Sequence, residues 1–371
     1  MIFLDYASNY PVKDEVLDSF IEAEKKYYGN ANSLHPLGRE TFEFLKEVDR
    51  DIHSLLGIGD DFEIIYTSSA SESSNTVIKG LYDLHKGFRE SFLSSEFEHT
   101  SVNSTLAYLK DQGADVSMVK TTSKGKMDLD NLRQKMENKP LLTCLTLVES
   151  EAGTIQDYHD VASIIHQNEE SYLLLDATQA IGKIPFNFSD MDFVSFAPHK
   201  FGGIIGTGVL IRRKNIPVTP LIHGGKSLSM YRSSTPSVGL IASIRTALRI
   251  ALENQEKNYD RVRLLCDRLV GGLKENPNIE INSFLENPYI VNLSYRNQRA
   301  MDVVSYLSTK GICVSQKSAC SILNTPSKVI NCIYHDKKRA LSSFRVSLSE
   351  LVREEEIDEF VKVLGEYENA R

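Results

Sequence analysis

Lys200 closes the stretch Ala197-Pro-His-Lys200, directly after the apolar run Phe193-Val-Ser-Phe196 and before Phe201-Gly-Gly203. A lysine in a loop is ordinarily a solvated cation. At a strand mouth and out of water it loses its charge readily and can hold an aldehyde as a Schiff base. Asp176 follows Tyr172-Leu-Leu-Leu175 and precedes Ala-Thr-Gln179. Such an aspartate either caps the next turn or keeps a proton on a heteroaromatic nitrogen through a charge-assisted hydrogen bond. Ser68, Ser69 and Ser71 lie in Thr67-Ser-Ser-Ala-Ser-Glu72, after the run Glu63-Ile-Ile-Tyr66 and at the opening of a helix. Any one of them serves as an N-cap, and the same place offers free N–H groups and the positive end of the helix dipole to a small phosphate. An acid for a pyridine nitrogen, an amine for an aldehyde and a cradle for one phosphate are together what pyridoxal phosphate requires.

Other chemistries find less support. No GxxxxGK[ST] loop is present, and Gly202-Gly-Ile-Ile-Gly206-Thr-Gly208 is not a GxGxxG fingerprint, so nucleotide readings lose ground. The nine histidines form no ligand-spaced cluster and the five cysteines (144, 266, 313, 320 and 332) make no CxxC pair, so no metal site is expected. The cysteines are also too few and too scattered for a disulfide framework, which fits a reducing, cytoplasmic setting. Lys and Arg number 42 against 50 Asp and Glu, a net charge of -8 that argues against nucleic acid and anionic membranes as partners. No apolar run approaches the ~20 residues of a membrane helix. Asp5 interrupts the N-terminus at once, so no leader peptide is expected.

The polar stretches need a scaffold that sets several strand ends side by side. Helical periodicity marks 12–27, 37–56, 71–85 and 99–113, then 159–168, 237–272, 300–310 and 353–367. Between the earlier helices lie short β-rich runs at 63–66, 142–147, 172–175, 193–196 and 208–211. Strands apolar on both faces and separated by helices predict a mostly parallel sheet in an α/β layer. In such a sheet a ligand sits outside the carboxyl ends of the strands, where the polar stretches fall. Beyond about residue 245 a long charged helix precedes brief strands at 278–282, 289–294, 312–315 and 344–348 and a terminal helix, the texture of a smaller α+β domain. At ~150 residues per domain, a chain of 371 residues predicts two.

Further motifs extend from end to end: Leu4-Asp-Tyr-Ala7, Gly29-Asn30 with Ser33 and His35, Glu98-His99, Glu151-Ala-Gly153 and Asp176-Ala-Thr-Gln-Ala-Ile-Gly-Lys183. His223-Gly-Gly225, Arg232-Ser-Ser-Thr235, Ser318-Ala-Cys320 and Phe344-Arg-Val-Ser-Leu348 complete the set. In this order and spacing they resemble the NifS-like cysteine desulfurases of the class V aminotransferase group, which are fold-type I pyridoxal-phosphate enzymes. The resemblance implies a large pyridoxal-phosphate-binding α/β domain over 12–245. Residues 1–11 and 246–371 would form the small α+β domain that carries the cysteine loop and the substrate-carboxylate arginine. Lys200 would hold the cofactor's aldehyde and shuttle protons, Asp176 would pair with the pyridine nitrogen, and Gln179 would hydrogen-bond the phenolic oxygen. His99 would stack on the ring and carry protons. Ser71, where the family has threonine, would hold the phosphate with His199, and Thr235 would reach it from the neighbouring subunit of a homodimer. Arg345 would clamp the substrate carboxylate with its planar fork, with Asn30 beside the substrate. Cys320 would be the thiolate that takes sulfur from L-cysteine as a persulfide and leaves alanine, the sulfur then passing to an acceptor protein.

The family pattern is altered at several site positions. Ser8-Asn9-Tyr10 replaces Ala-Thr-Thr, and Ser150 replaces an asparagine that contacts the cofactor and substrate. Ala197 replaces a hydroxyl that bonds the phosphate, and Ile204-Ile-Gly206 replaces Pro-Lys-Gly. Lys317 replaces the glycine before Ser318-Ala-Cys320, and the stretch from Cys320 to Pro326 is one residue shorter. A lysine should restrict a loop that glycine would let swing. Two alternatives to a cysteine desulfurase therefore stand. One is a class V enzyme with a retuned pocket: a selenocysteine lyase, a cysteine-derivative lyase or a small-amino-acid aminotransferase. The other is a degenerate, low-activity member that works through a partner.

Overall fold

The structure is a computed structural model that describes all residues except 226, 318–324 and 368–371. The N-terminal segment runs through β1 (Ile2–Phe3), α1 (Asp14–Lys26) and α2 (Pro36–Leu56). Alternating elements follow: β2 (Phe62–Thr67), α3 (Ala70–His85), β3 (Ser91–Ser94), α4 (Thr100–Asp111), β4 (Asp115–Met118), α5 (Leu129–Met136) and β5 (Leu142–Thr146). Then come α6 (Tyr158–Ile165), β6 (Tyr172–Asp176), β7 (Phe193–Phe196) and β8 (Gly208–Arg213). The C-terminal part comprises α7 (Val238–Glu253), α8 (Gln255–Leu273), β9 (Ile279–Ile281), β10 (Ile290–Tyr295), α9 (Ala300–Thr309), β11 (Ile312–Cys313), α10 (Lys328–Tyr334), α11 (Lys337–Ser342), β12 (Ser343–Ser347) and α12 (Glu354–Gly365).

Seven strands form the central sheet in the order β2-β8-β7-β6-β5-β3-β4. All are parallel except β8, which runs antiparallel to β2 and β7. Residues of β5 are buried throughout, as are those of β6 from Leu173 onward, because strands cover both edges and helices both faces. That burial is why these runs are apolar without alternation. The mostly parallel α/β sheet matches the sequence reading.

Other elements were hidden from periodicity. The β3 and β4 strands are only four residues each, too short to leave a pattern. The stretch 237–272, which reads as one helix, is two. Asn254 ends α7 with φ of -107° and its side-chain amide caps back onto the Ile250 carbonyl at 2.8 Å. The first of the two packs on α1 and α2, the second on α12.

Residues 1–10 thread between the sheets. β1 pairs in parallel with β11, and Asp5 bridges to Ser347 at the end of β12. The strand β12 lies antiparallel to β10 in a three-stranded sheet, β12-β10-β9. This threading delivers the N-terminal segment to the same place as the carboxyl ends of the central strands.

Candidate active site

Five strand exits converge on a cavity of about 220 Å³. Asp176 is the last residue of β6, flanked by Thr146 of β5 and Ser195 of β7. Lys200 ends the short 3-10 turn Pro198–Lys200 that follows β7. Ser150 lies in the turn after β5, His99 caps α4 after β3, and Ser71 lies in the first turn of α3 after β2. Gln179 and Arg345 complete the lining.

The start of α3 lines the cavity through Ser69, Ala70 and Ser71, and His199 and Ser101 line it as well. Ser69 is the N-cap and accepts the Glu72 N–H at 3.1 Å, while Glu72 Oε2 accepts the Ser68 N–H at 2.7 Å. The Ser69 cap, with Glu72 reaching back one residue beyond it to Ser68, fixes the first turn and leaves its dipole aimed into the cavity. Ala197 also lines the cavity and offers no hydroxyl.

The Lys200 Nζ donates to the carbonyls of Ala7 at 3.0 Å and Ser8 at 2.6 Å. Gln179 Nε2 donates to the same Ala7 carbonyl at 2.8 Å. His99 Nδ1 accepts the Ser101 N–H at 3.2 Å, which places the proton of the neutral ring on Nε2. Burial holds His99 below its usual range, against the pull of Asp176 and with Lys200 adding to the shift. His199 is pushed down to about 4 by burial and by the charges of Lys200 and Lys183. Both imidazoles are therefore neutral near pH 7. Glu98 beside His99 is raised to about 8, chiefly by burial, against a lowering bond from Ser95 and with the charge of Asp176 adding to the rise.

Arg345, from β12, has a side chain only 1% exposed. Nη1 donates to the Ser150 carbonyl at 2.8 Å, and Nη2 donates to Asp5 Oδ1 at 2.8 Å and Ser8 Oγ at 2.7 Å. Nε has no hydrogen-bond partner among the described residues. A buried guanidinium donor without an acceptor calls for one, and an anion in the cavity would supply it.

The cavity thus gathers Lys200, His99, Ser71, Asp176, Gln179, His199, Ser150 and Arg345. It does not gather Asn30 or Thr235. Asn30 is exposed, and its Oδ1 accepts the Asn32 N–H at 2.9 Å. Thr235 lines a separate cavity of about 130 Å³ with Ser68, Thr207 and Arg232. Cys320 lies outside the described residues. Lys317, just before that stretch, donates to the carbonyl and hydroxyl of Thr325 just after it, at 2.8 and 2.7 Å. The altered position therefore ties its two flanks together, where the glycine of the family pattern has no side chain to do so.

Sequence reasoning assigned no task to Asp5, Ser8 or Lys183, all of which engage the cavity residues. Asp5 and Lys183 stood inside quoted motifs, but only the threading of residues 1–10 brings Asp5 to Arg345. No local signal announces that. Among the described residues no cluster of three or more His, Cys, Asp or Glu could hold a metal, and no helix is long and apolar enough to cross a membrane.

An acceptor-only carboxylate, an amine, and a helix start with hydroxyl and imidazole donors lie around one space. That donor set fits the ring nitrogen, aldehyde and phosphate of pyridoxal phosphate. Fold and cavity together define a fold-type I enzyme of that cofactor class. The profile of the Aminotransferase class-V family matches residues 2–360, and the chain belongs to that family. Cysteine desulfurase IscS of Serratia proteamaculans (strain 568) is 32% identical over 98% of this chain and 91% of its own. A solved NifS-like protein superposes with a TM-score of 0.93 at 31% identity, each chain covered over 100% of its length. The NifS-like protein of Rickettsia africae ESF-5 gives 0.88 at 26% identity, over 100% of this chain and 99% of its own.

Proposed function

We propose that this protein is a pyridoxal-phosphate-dependent cysteine desulfurase that converts L-cysteine to L-alanine and passes the sulfur to Cys320 as a persulfide. The observation that carries the reading is the meeting of Lys200 and Arg345 around one cavity, in a chain whose relatives are named cysteine desulfurases. When bound, the cofactor supplies an electron sink for bond breaking next to the substrate's α-carbon.

The chain's own groups supply the rest. The start of α3, with Ser71 and His199, would bind the phosphate, and Asp176 would accept from the protonated ring nitrogen. Lys200 would hold the aldehyde and move protons at its Nζ, with the carbonyls of Ala7 and Ser8 available to orient its N–H groups. His99, neutral and carrying its proton on Nε2, would donate a hydrogen bond from that N–H, and to act as an acid it must first take a second proton at Nδ1. Arg345 would take the substrate carboxylate, for which its unpartnered Nε is the free donor. Cys320, as the thiolate, would attack the substrate sulfur, and the carbon left behind would take a proton to become alanine.

The position of Thr235 outside its own chain's cavity suits a homodimer in which it serves the neighbouring site. A thiolate that must persist fits a reducing cytoplasm, and the persulfide would go on to an acceptor protein. The test is alanine release from L-cysteine by the cofactor-loaded protein, with Cys320→Ser alongside. Alanine from the wild type but not the variant is the expected result. Equal release from both would move the sulfur step away from Cys320. Release from neither would keep the family and assign the altered pocket around Ser150 and Ala197 to another small amino acid.

A further inference from the structure

Lys183 does not line the cavity, and the proposed reaction leaves it without a task. Yet it is an amine only 7% exposed. Gly182 turns the chain with φ of 74°, and a Cβ there would stand 2.8 Å from Ala251 Cβ, so the turn is seated against α7. The turn folds Lys183 back onto the residue four before it. Its Nζ donates to Gln179 Oε1 at 2.9 Å. Gln179 Nε2 donates to the Ala7 carbonyl at 2.8 Å, and that carbonyl also takes Lys200 Nζ at 3.0 Å.

With Lys183 charged, its N–H donor and the Ala7 carbonyl together decide which way the amide faces. Reversed, the Gln179 amide would set NH2 against NH3⁺ and oxygen against the Ala7 carbonyl, two repulsive contacts in place of two hydrogen bonds. Resting on the pyridoxal-phosphate reading above, we propose that Lys183 is a positioning residue for the cofactor. By holding Gln179 Oε1 it commits the amide nitrogen to the cavity side, where one N–H serves Ala7 and the second is left for the cofactor's phenolic oxygen.

The surroundings disfavour a charge at this depth. Lys200 and Arg345 repel it, Glu350 attracts it, and the Tyr289 ring lies 5.9 Å away. Tyr10 donates to Glu350, and Lys13 pairs with the same carboxylate at 3.8 Å. Burial first, then the two cations, pull the Lys183 amine down to about 7 against the opposing Glu350. Near pH 7 the amine is therefore only partly charged, and in either form one of its N–H groups can donate to Gln179 Oε1.

The experiment is a double-mutant cycle on cofactor binding. Apoprotein of the wild type, Lys183→Met, Gln179→Leu and the double variant is titrated with pyridoxal phosphate. The dissociation constant and the pH midpoint of the bound cofactor's visible absorbance are read between pH 6 and 9. Each single variant should weaken binding about fivefold and move the midpoint in the same direction, and the double should be no worse than Gln179→Leu alone. Wild-type values in Lys183→Met, or losses that multiply in the double, would overturn the inference. Should the methionine variant not fold, Lys183→Leu, which also lacks a donor, is measured against the same outcomes. Wild-type apoprotein that takes up no pyridoxal phosphate would instead overturn the cofactor reading, before any variant is compared.

Discussion

Arg345 and Asp5 lie 340 positions apart in the chain, and their side chains meet at 2.8 Å. Asp5 and Ser8 hold one guanidinium nitrogen and the Ser150 carbonyl holds another, which fixes the plane of the fork before any substrate arrives. Pre-set orientation lowers the entropy lost when a carboxylate is bound. The aspartate also keeps a buried cation from standing alone, a situation that costs several kcal/mol when one partner is removed.

Arg345→Lys should therefore fail to substitute. A lysine offers a point charge where three directed donors are in use. KM for L-cysteine is expected to rise about tenfold or more with a smaller change in kcat, because a carboxylate contact is made in ground and transition states alike. Steady-state kinetics decides it. An unchanged KM would mean that the carboxylate is held elsewhere.

Lys200→Ala removes the only amine this proposal gives to the cofactor's aldehyde. The phosphate cradle at α3 and Asp176 remain, so the variant should still retain pyridoxal phosphate but lose the visible absorbance of the wild type and all alanine release. Absorbance spectroscopy after gel filtration reads both. Normal turnover in the variant would sink the assignment.

Much of this site was legible because strand ends leave local marks. Asp176, Lys200 and Ser71 each follow an apolar run, and placement at the carboxyl edge of a parallel sheet needs only that order. Arg345 came from motif resemblance alone, since nothing around β12 marks a buried cation. Asp5 and Lys183 escaped because their partners are set by threading and by a glycine turn, neither of which has a period. The break at Asn254 escaped for a related reason: α7 and α8 both keep helical spacing, and a single capping residue interrupts them. Asn30 had only a motif to recommend it, and its exposed side chain bonds its own loop.

Glu72 supports the phosphate end from behind. It accepts from the Ser68 N–H, and Arg232 Nε donates to its other oxygen at 3.0 Å. Burial would raise this carboxyl, but the bonds from Ser68 and Arg232 outweigh it and hold it below its usual range. The sign follows: the stabilisation is present above the ordinary glutamate pKa and fades as pH falls through the lower native value. Glu72→Ala should cost roughly 1–2 kcal/mol as a lost cap and partner, and cofactor should dissociate faster from the loosened turn. Thermal melts at pH 7 and cofactor release on dilution test the two parts. A variant that melts and releases like the wild type would show that the cap carries neither.

Glu98 has the opposite linkage. Burial, opposed by the Ser95 hydroxyl and the Thr146 backbone N–H and reinforced by the charge of Asp176, raises it from 4.5 to about 8. The native state keeps a proton that the unfolded chain gives up. Its contribution is therefore complete below the unfolded value of 4.5 and is lost as pH rises towards 8. Glu98→Gln cannot ionise in either state, and its amide occupies the same space with the same Ser95 bond available. The variant should gain on the wild type as pH climbs from 5 to 8, by at most about 1.4 kcal/mol per pH unit, and the gap should stay level above that. Urea unfolding midpoints across pH 5 to 9 measure it. Parallel curves would mean that Glu98 ionises in the folded protein as readily as in the unfolded chain.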